Sequence, residues 1–216
     1  METKDQFNRE GFTLIELLIA TVVFSIILLI LTQGIIQITR VYLKGDTITK
    51  TQDATEKALT TISDAIQFSG GTITGTPTAT PAAHIPAAFC VNNTRFSYQL
   101  DGELSQNTGT DMVPHVLIAD TQPGACPNPT PTPQLLNGGL LYTDSKELLG
   151  TNMRLTQLTI TPVGPSNLIW KIQIGVVYGD SDLLNATHTL CTASLKESGQ
   201  FCAYSQLSTI VEKRVQ

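Results

Sequence analysis

Residues with catalytic or metal-binding chemistry are sparse in this sequence and form no known pattern. The three histidines, His84, His115 and His188, lie far apart, and each fits a loop or surface position better than a base or a ligand. The sequence contains no G-x-S-x-G, Walker or H-E-x-x-H motif and no C-x-x-C pair. The run Asp-Ser-Asp at 180–182 could hold calcium with carbonyl oxygens, but we favour a solvated turn. We therefore expect no catalytic residue, no metal and no cofactor, and a protein that is not an enzyme.

One acidic residue has unusual neighbours. Glu16 opens an apolar run, and no charged residue occurs from Leu17 to Thr39. The run is long enough to cross a bilayer, which takes about 20 residues. A charged side chain at the centre of such a span costs roughly 2.5–3.5 kcal/mol, so Glu16 must have a partner or a role. A secretory signal peptide is cut at a small residue after its apolar core, which removes the core. Here the small residue, Gly11, comes before the apolar run, so cleavage there would keep the apolar segment.

The element that must position Glu16 is a long helix. Helical periodicity extends from Phe12 to Phe68, and Leu59, Ile62 and Ile66 have the spacing of one helix face. The first clear stop signal is Ser-Gly-Gly at 69–71. The first half of this helix suits lipid. The second half is polar on one face, which predicts that its other face docks on a soluble domain.

Two glycines could soften this helix, which would be about 85 Å long if continuous. Each interior glycine costs about 1 kcal/mol relative to alanine. We expect a bend or local unwinding near Gly34, with the helix continuing beyond it, and Gly45 is a weaker candidate.

After the helix the pattern changes to strands. Residues 71–88 and the five-proline segment 121–133 read as loops. Trp170 alternates with apolar neighbours, which predicts a core position. The predicted strands and hairpins are 96–105 about an Asp101-Gly102 turn, 115–119, 135–142, 155–161 paired with 168–178, and 201–211. A long helix followed by an antiparallel meander predicts an α+β fold.

Charge and cysteine content suit an extracellular domain. The net charge is −5, and the chain after residue 71 has ten acidic and seven basic residues. This balance does not indicate a basic surface for nucleic acid. All four cysteines follow the apolar run, as expected for disulfides in an oxidising exterior, the alternative being four buried thiols.

Four cysteines allow three pairings, and the sequence alone cannot choose rigorously. We favour Cys191–Cys202, because residues 197–199 offer a turn and the short ring leads into the last strand. Cys90 and Cys126 are then partners, and their bond would staple the proline-rich loop.

Residues 11–20, Gly-Phe-Thr-Leu-Ile-Glu-Leu-Leu-Ile-Ala, closely resemble the N-terminal motif of type IV prepilins and of the pseudopilins of type II secretion. The resemblance implies that prepilin peptidase cuts between Gly11 and Phe12 and then N-methylates Phe12. It also implies that Glu16 pairs with the Phe12 ammonium of a neighbouring subunit during assembly. While the subunit is alone in lipid, an internal i, i+4 pairing of the same two groups is the alternative.

The resemblance also implies an organisation of the chain. Residues 1–11 would be a cleaved leader, 12–39 a transmembrane and filament-core helix, 40–70 its amphipathic continuation, and 71–216 an extracellular β-rich domain. The expected partners are prepilin peptidase, other pilin subunits, the inner assembly platform and the membrane. The protein would be a single-pass membrane protein with its C-terminal domain outside, and then part of a cell-surface pilus.

Within this family the sequence favours a minor pilin. Residues 201–214 loosely resemble the closing strand of minor pilins of the W/J kind, and no proline occurs around Gln33, where many major pilins have one. A type II secretion pseudopilin is the nearest alternative. A tip subunit that binds a surface or DNA through the loops 71–88 and 121–133 is another. A membrane-anchored enzyme would need a catalytic cluster, which the sequence does not indicate.

Overall fold

One long helix and a series of antiparallel strands make up the described part of the chain. In the computed structural model these residues are 11–70, 72–75, 77, 87–102, 116–122, 124, 126, 129, 145–192 and 199–214. The elements are α1 (Leu14–Phe68), β1 (Ile73–Thr74), β2 (Ala87–Val91), β3 (Thr94–Tyr98), β4 (Leu117–Thr121), β5 (Lys146–Glu147), β6 (Met153–Val163), β7 (Ile169–Tyr178) and β8 (Ala203–Glu212), with short 3₁₀ turns at Ser181–Leu183 and Gly199–Phe201. The predicted α+β class is confirmed.

The chain divides into two compact units, Met1–Tyr42 and Leu43–Gln216. The described part of the first unit consists of residues 11–13 and the start of α1, and all of these residues are exposed. The second unit contains the rest of α1 and all the strands. Helix α1 therefore belongs to both units, with its buried residues confined to the second.

The strands of the second unit form two sheets rather than the single meander expected from the sequence. Strands β1 to β5 form one antiparallel sheet, and β6 to β8 form another, each in chain order. The predicted hairpin of 155–161 with 168–178 is confirmed and is longer than expected, since β6 and β7 pair from Met153 with Tyr178 to Val163 with Ile169. Gly164 in its turn has φ +82°, a conformation that glycine adopts without strain.

Helix α1 packs on the sheets through one face. Its buried residues are Thr47, Thr51, Thr55, Ala58, Leu59, Ile62 and Ile66. Each threonine hydroxyl donates to the carbonyl oxygen four residues earlier, so the threonines are buried without an unpaired donor. The face predicted from Leu59, Ile62 and Ile66 is confirmed, and these residues share one core with strand residues such as Phe89, Phe96, Leu158 and Ile172.

Trp170 is in the same core and is only 8% exposed. Its indole N–H donates to the Asn167 carbonyl oxygen at 2.9 Å, which satisfies the polar end of a ring that is otherwise buried. The predicted core role of Trp170 is confirmed.

Helix α1 differs from the sequence expectation at its start and at Gly34. It begins at Leu14, and its α-helical hydrogen bonding continues through Gly34, so the expected local unwinding there is wrong. A glycine lowers helix propensity, but it retains its backbone donor and acceptor and does not by itself break a helix. The helix ends at Phe68, and Gly70 has φ +60°, which confirms the predicted glycine stop.

Several strand boundaries also differ. The expected loop 71–88 contains β1 and the first two residues of β2, because a two-residue strand has no periodicity to detect. Strand β4 begins two residues later than expected, and β8 begins after the 3₁₀ turn at Gly199–Phe201. Asp101 has φ +56°, and its N–H donates to the Leu155 carbonyl oxygen. The return strand 103–105 and the hairpin 135–142 lie outside the described residues.

Candidate functional site: the N-terminal processing segment

The Gly11–Phe12 peptide bond lies in an exposed, non-helical segment. Residues 11–13 have no regular secondary structure, and the Phe12 side chain is 88% exposed. Apart from its neighbours in the chain, no described residue lies within 4 Å of the position where Gly11 would carry a Cβ. A protease binds extended, accessible backbone most readily. A peptidase could therefore reach this bond without unwinding α1.

Thr13 and Glu16 form a reciprocal cap at the start of α1. The Glu16 Oε2 atom accepts hydrogen bonds from the Thr13 backbone N–H at 3.0 Å and from the Thr13 hydroxyl at 2.8 Å. The Thr13 hydroxyl oxygen in turn lies 3.4 Å from the Glu16 N–H, which donates to it. This is the capping-box arrangement of Thr-x-x-Glu, which satisfies free donors at a helix start. This role of Thr13 was not among the expectations from the sequence, although the Thr-x-x-Glu spacing signals it.

The cap shows how Glu16 is accommodated in the uncut chain. The nitrogen of Phe12 is here a peptide amide, so the internal salt bridge to a Phe12 ammonium can form only after cleavage. Meanwhile Glu16 bonds to Thr13, and both bonds end on Oε2. The roles expected for Gly11, Phe12 and Glu16 in processing and assembly remain predictions.

The beginning of α1 presents a continuous apolar surface. Its large apolar side chains are all exposed, from Phe12 and Leu14 through Ile38 to Val41 and Tyr42. Among the described residues one helix, α1, is long and apolar enough to cross a membrane, by length and composition. Exposed apolar surface of this extent indicates contact with a membrane or with another protein. The length and composition of this helix fit a membrane-anchored protein.

Two disulfides hold parts of the second unit. Cys90 in β2 is bonded to Cys126, with their Cα atoms 6.0 Å apart, and the Thr74 hydroxyl donates to the Cys126 carbonyl oxygen at 2.8 Å. Cys191 is bonded to Cys202, with their Cα atoms 5.8 Å apart, just before β8. These are the two pairings favoured from the sequence. The first bond ties residue 126 to β2, and the second ties residue 191 to the residue that precedes β8.

The other candidate residues do not form a site within the described part of the chain. Ser181–Leu183 is a 3₁₀ turn, and the Asp180 Oδ1 atom accepts a hydrogen bond from the Asn152 amide at 3.0 Å. No group of three or more metal-binding side chains occurs among the described residues. His188 Nδ1 lies 3.1 Å from Asp101 Oδ2. His84 and His115 lie outside the described residues, as does most of the loops 71–88 and 121–133.

A buried ion pair in the first sheet, the one formed by β1 to β5, was also not predicted from the sequence. Arg95 and Asp120 lie opposite each other on β3 and β4, and Arg95 Nη2 is 2.6 Å from Asp120 Oδ2. The two side chains are 6% and 0% exposed. The Gln122 amide also donates to the same carboxylate. Nothing in the local sequence indicates this pair, because each charge alone reads as a solvent-facing strand position.

The comparison with known families identifies the N-terminal segment. A family model described as the prokaryotic N-terminal methylation motif matches residues 6–32, which include Gly11, Phe12 and Glu16. This match supports the type IV prepilin and pseudopilin family. No curated protein and no solved structure matches the chain significantly.

The prepilin motif and the architecture agree. One long N-terminal helix followed by antiparallel sheets is consistent with the type IV pilin fold. The motif implies processing by a peptidase and assembly with other pilins. Proteins of the type IV pilin family are structural subunits, not enzymes.

Proposed function

We propose that this prepilin is a structural subunit of a type IV pilus, and specifically a minor pilin. The observation that carries the proposal is the prepilin motif at the head of α1, a helix whose apolar surface is exposed up to Tyr42 and whose last turns pack in a core. A helix with these two parts can join a helical filament core through one end and carry a folded domain on the other.

Processing creates the charge that Glu16 needs. Cleavage after Gly11 by prepilin peptidase would leave an α-ammonium on Phe12, which is then N-methylated. Opposite unit charges 4 Å apart attract by about 4 kcal/mol at an effective dielectric constant of about 20, although desolvation offsets much of this. Only Oε2 of Glu16 is used by Thr13. Since a carboxylate can accept about four hydrogen bonds, Oε1 can accept from the ammonium of a neighbouring subunit while the Thr13 cap stays intact.

The proposed organisation follows from this role. Residues 1–11 are the leader, 12–39 the transmembrane and filament-core segment, 40–70 the amphipathic continuation, and 71–216 the extracellular domain. The subunit is a single-pass membrane protein until the inner assembly platform transfers it to the pilus. The absence of a proline around Gln33 and the loose likeness of residues 201–214 to W/J-kind subunits support the minor-pilin assignment.

Two variants test processing and assembly separately. Gly11→Val should leave a full-length precursor in the membrane, because a branched side chain cannot replace the glycine at the cut. Glu16→Ala should insert, be cleaved and fold, but its incorporation into filaments should fall at least about tenfold, as expected for the loss of a charged hydrogen bond. Glu56→Ala, which removes an exposed carboxylate from the same helix, is the matched control and should assemble normally.

The measurement is quantitative mass spectrometry of pili sheared from the cell surface, which gives both the mature N-terminus and the stoichiometry. Filaments that contain residues 1–11 would contradict the processing step. Equal incorporation of Glu16→Ala and wild type would contradict the pairing. If the subunit is absent from sheared pili and is required for the export of other proteins through a secretin, the result would instead support a type II secretion pseudopilin.

A further inference from the structure

Lys44 is bonded to a turn far along the chain. Its ammonium donates to the carbonyl oxygens of Gly199 and Cys202, at 2.6 and 2.7 Å. The side chain is half-buried, and hydrogen bonds from a charged donor are about twice as strong as neutral ones. Lys44 therefore attaches α1 to the segment that leads into β8.

A second attachment lies one turn further along α1. The buried Thr47 hydroxyl shares its single proton between the Leu43 carbonyl oxygen at 2.8 Å and the Gln200 carbonyl oxygen at 3.0 Å. Gly45 lies between the two attached residues, and no described residue outside the adjoining helix backbone comes within 4 Å of the position where it would carry a Cβ. Gly45 is exposed, and glycine has a lower helix propensity than every residue except proline. The two attachments bridge this weak point.

The turn that both residues contact is itself fixed. Cys202 is disulfide-bonded to Cys191 and is buried in a small apolar cluster with Val177, Leu183 and Leu184. Strand β8 begins at the next residue and pairs with β7 along its whole length. The carbonyl oxygens of residues 199–202 are therefore held in place by the disulfide and by the sheet.

We propose that Lys44, Thr47 and the turn 199–202 form a clasp that keeps α1 wound across Gly45, and that the helix opens as a hinge at Gly45 when the clasp is released. The clasp lies at the start of the second unit, directly after Tyr42. Releasing it would allow α1 to open at Gly45, three residues beyond this boundary. The device operates within α1 whether the filament is a pilus or a pseudopilus.

Hydrogen exchange of the full chain in detergent micelles tests the clasp. The readout is the exchange rate of backbone amides in peptides that cover residues 43–51, since exchange reports local opening. Lys44→Met should raise this rate by about tenfold or more, as expected for the loss of a charged hydrogen bond. Lys57→Met, the same substitution at an exposed position of the same helix, should leave the rate within about twofold of wild type.

The hinge is tested by rescue. Gly45→Ala added to Lys44→Met should lower the rate again by about fivefold, the factor that corresponds to the propensity difference between glycine and alanine. Thr47→Val keeps the shape of a buried side chain and removes the hydroxyl, so it should raise the exchange rate less than Lys44→Met does. This variant also tests the clasp if Lys44→Met fails to fold. Unchanged exchange in both variants would overturn the clasp. A rise that Gly45→Ala does not reduce would overturn the hinge.

Discussion

The burial of Ile62 predicts how strongly α1 contributes to the stability of the second unit. Ile62 is fully buried in the core formed with the two sheets. Ile62→Ala removes the equivalent of about three methylene groups, each contributing about 0.8 kcal/mol when buried. The cavity left behind adds to this loss. We therefore expect the free energy of unfolding to fall by about 3–4 kcal/mol.

The chain provides its own probe and its own control for this measurement. Its single tryptophan, Trp170, lies in the same core as Ile62, so its fluorescence reports unfolding of that core. Urea titration of the full chain in non-ionic detergent then gives the midpoint, which should fall by roughly 1.5–2 M at a slope of about 2 kcal/mol per M. Ile48→Ala is the same change on the same helix at a position that is 36% exposed, and it should cost less than about 1 kcal/mol.

Two outcomes would refute the packing argument. Equal midpoints for Ile62→Ala and Ile48→Ala would mean that the face of α1 that contains Ile62 does not pack on the sheets in solution. A midpoint for Ile62→Ala that is much lower by helical circular dichroism than by Trp170 fluorescence would mean that helix and sheets unfold separately.

Two further predictions concern the first sheet and use the same titration. Arg95→Met should destabilise the second unit by about 3–5 kcal/mol, because it leaves the Asp120 carboxylate buried without its guanidinium partner. The double variant Arg95→Met/Asp120→Leu should recover most of that loss. A double variant as unstable as the single one would contradict the ion-pair explanation. Burial raises the pKa of Tyr98, so the fold favours its neutral form. The unfolded chain ionises first, and stability should therefore be fully present below about pH 10 and fall as the pH rises through the higher folded-state value. The fall in urea midpoint between about pH 9 and pH 11 should be smaller in Tyr98→Phe, and an unchanged fall would assign the pH dependence to other groups.

Local sequence patterns predicted the features that depend on near neighbours in the chain. The long helix, its stop before Gly70, the hairpin of β6 and β7 and the core position of Trp170 all follow from periodicity and turn residues. The prepilin motif is likewise a short contiguous segment, and the matched family model covers residues 6–32. A helix or a hairpin is closed by hydrogen bonds between residues close in sequence, so its signal is local.

The unwinding expected at Gly34 shows the limit of such reasoning. Propensity gives only about 1 kcal/mol for one glycine, and the surrounding turns of α1 preserve its hydrogen bonds cooperatively. The division into two sheets could not be predicted from the sequence either. A strand shows the same alternation of apolar and polar residues whichever sheet it joins.

By itself, then, the sequence determined the helix, the strand-rich second unit and the processing motif. Only the tertiary structure decided which distant groups meet: Arg95 with Asp120 across two strands, and Lys44 with the carbonyl oxygens of the turn 199–202. Each of these contacts joins residues whose own neighbourhoods are ordinary, a charge on a strand and a lysine on a helix. Their energies depend on burial and on a partner at hydrogen-bonding distance, and both of these exist only once the chain has folded.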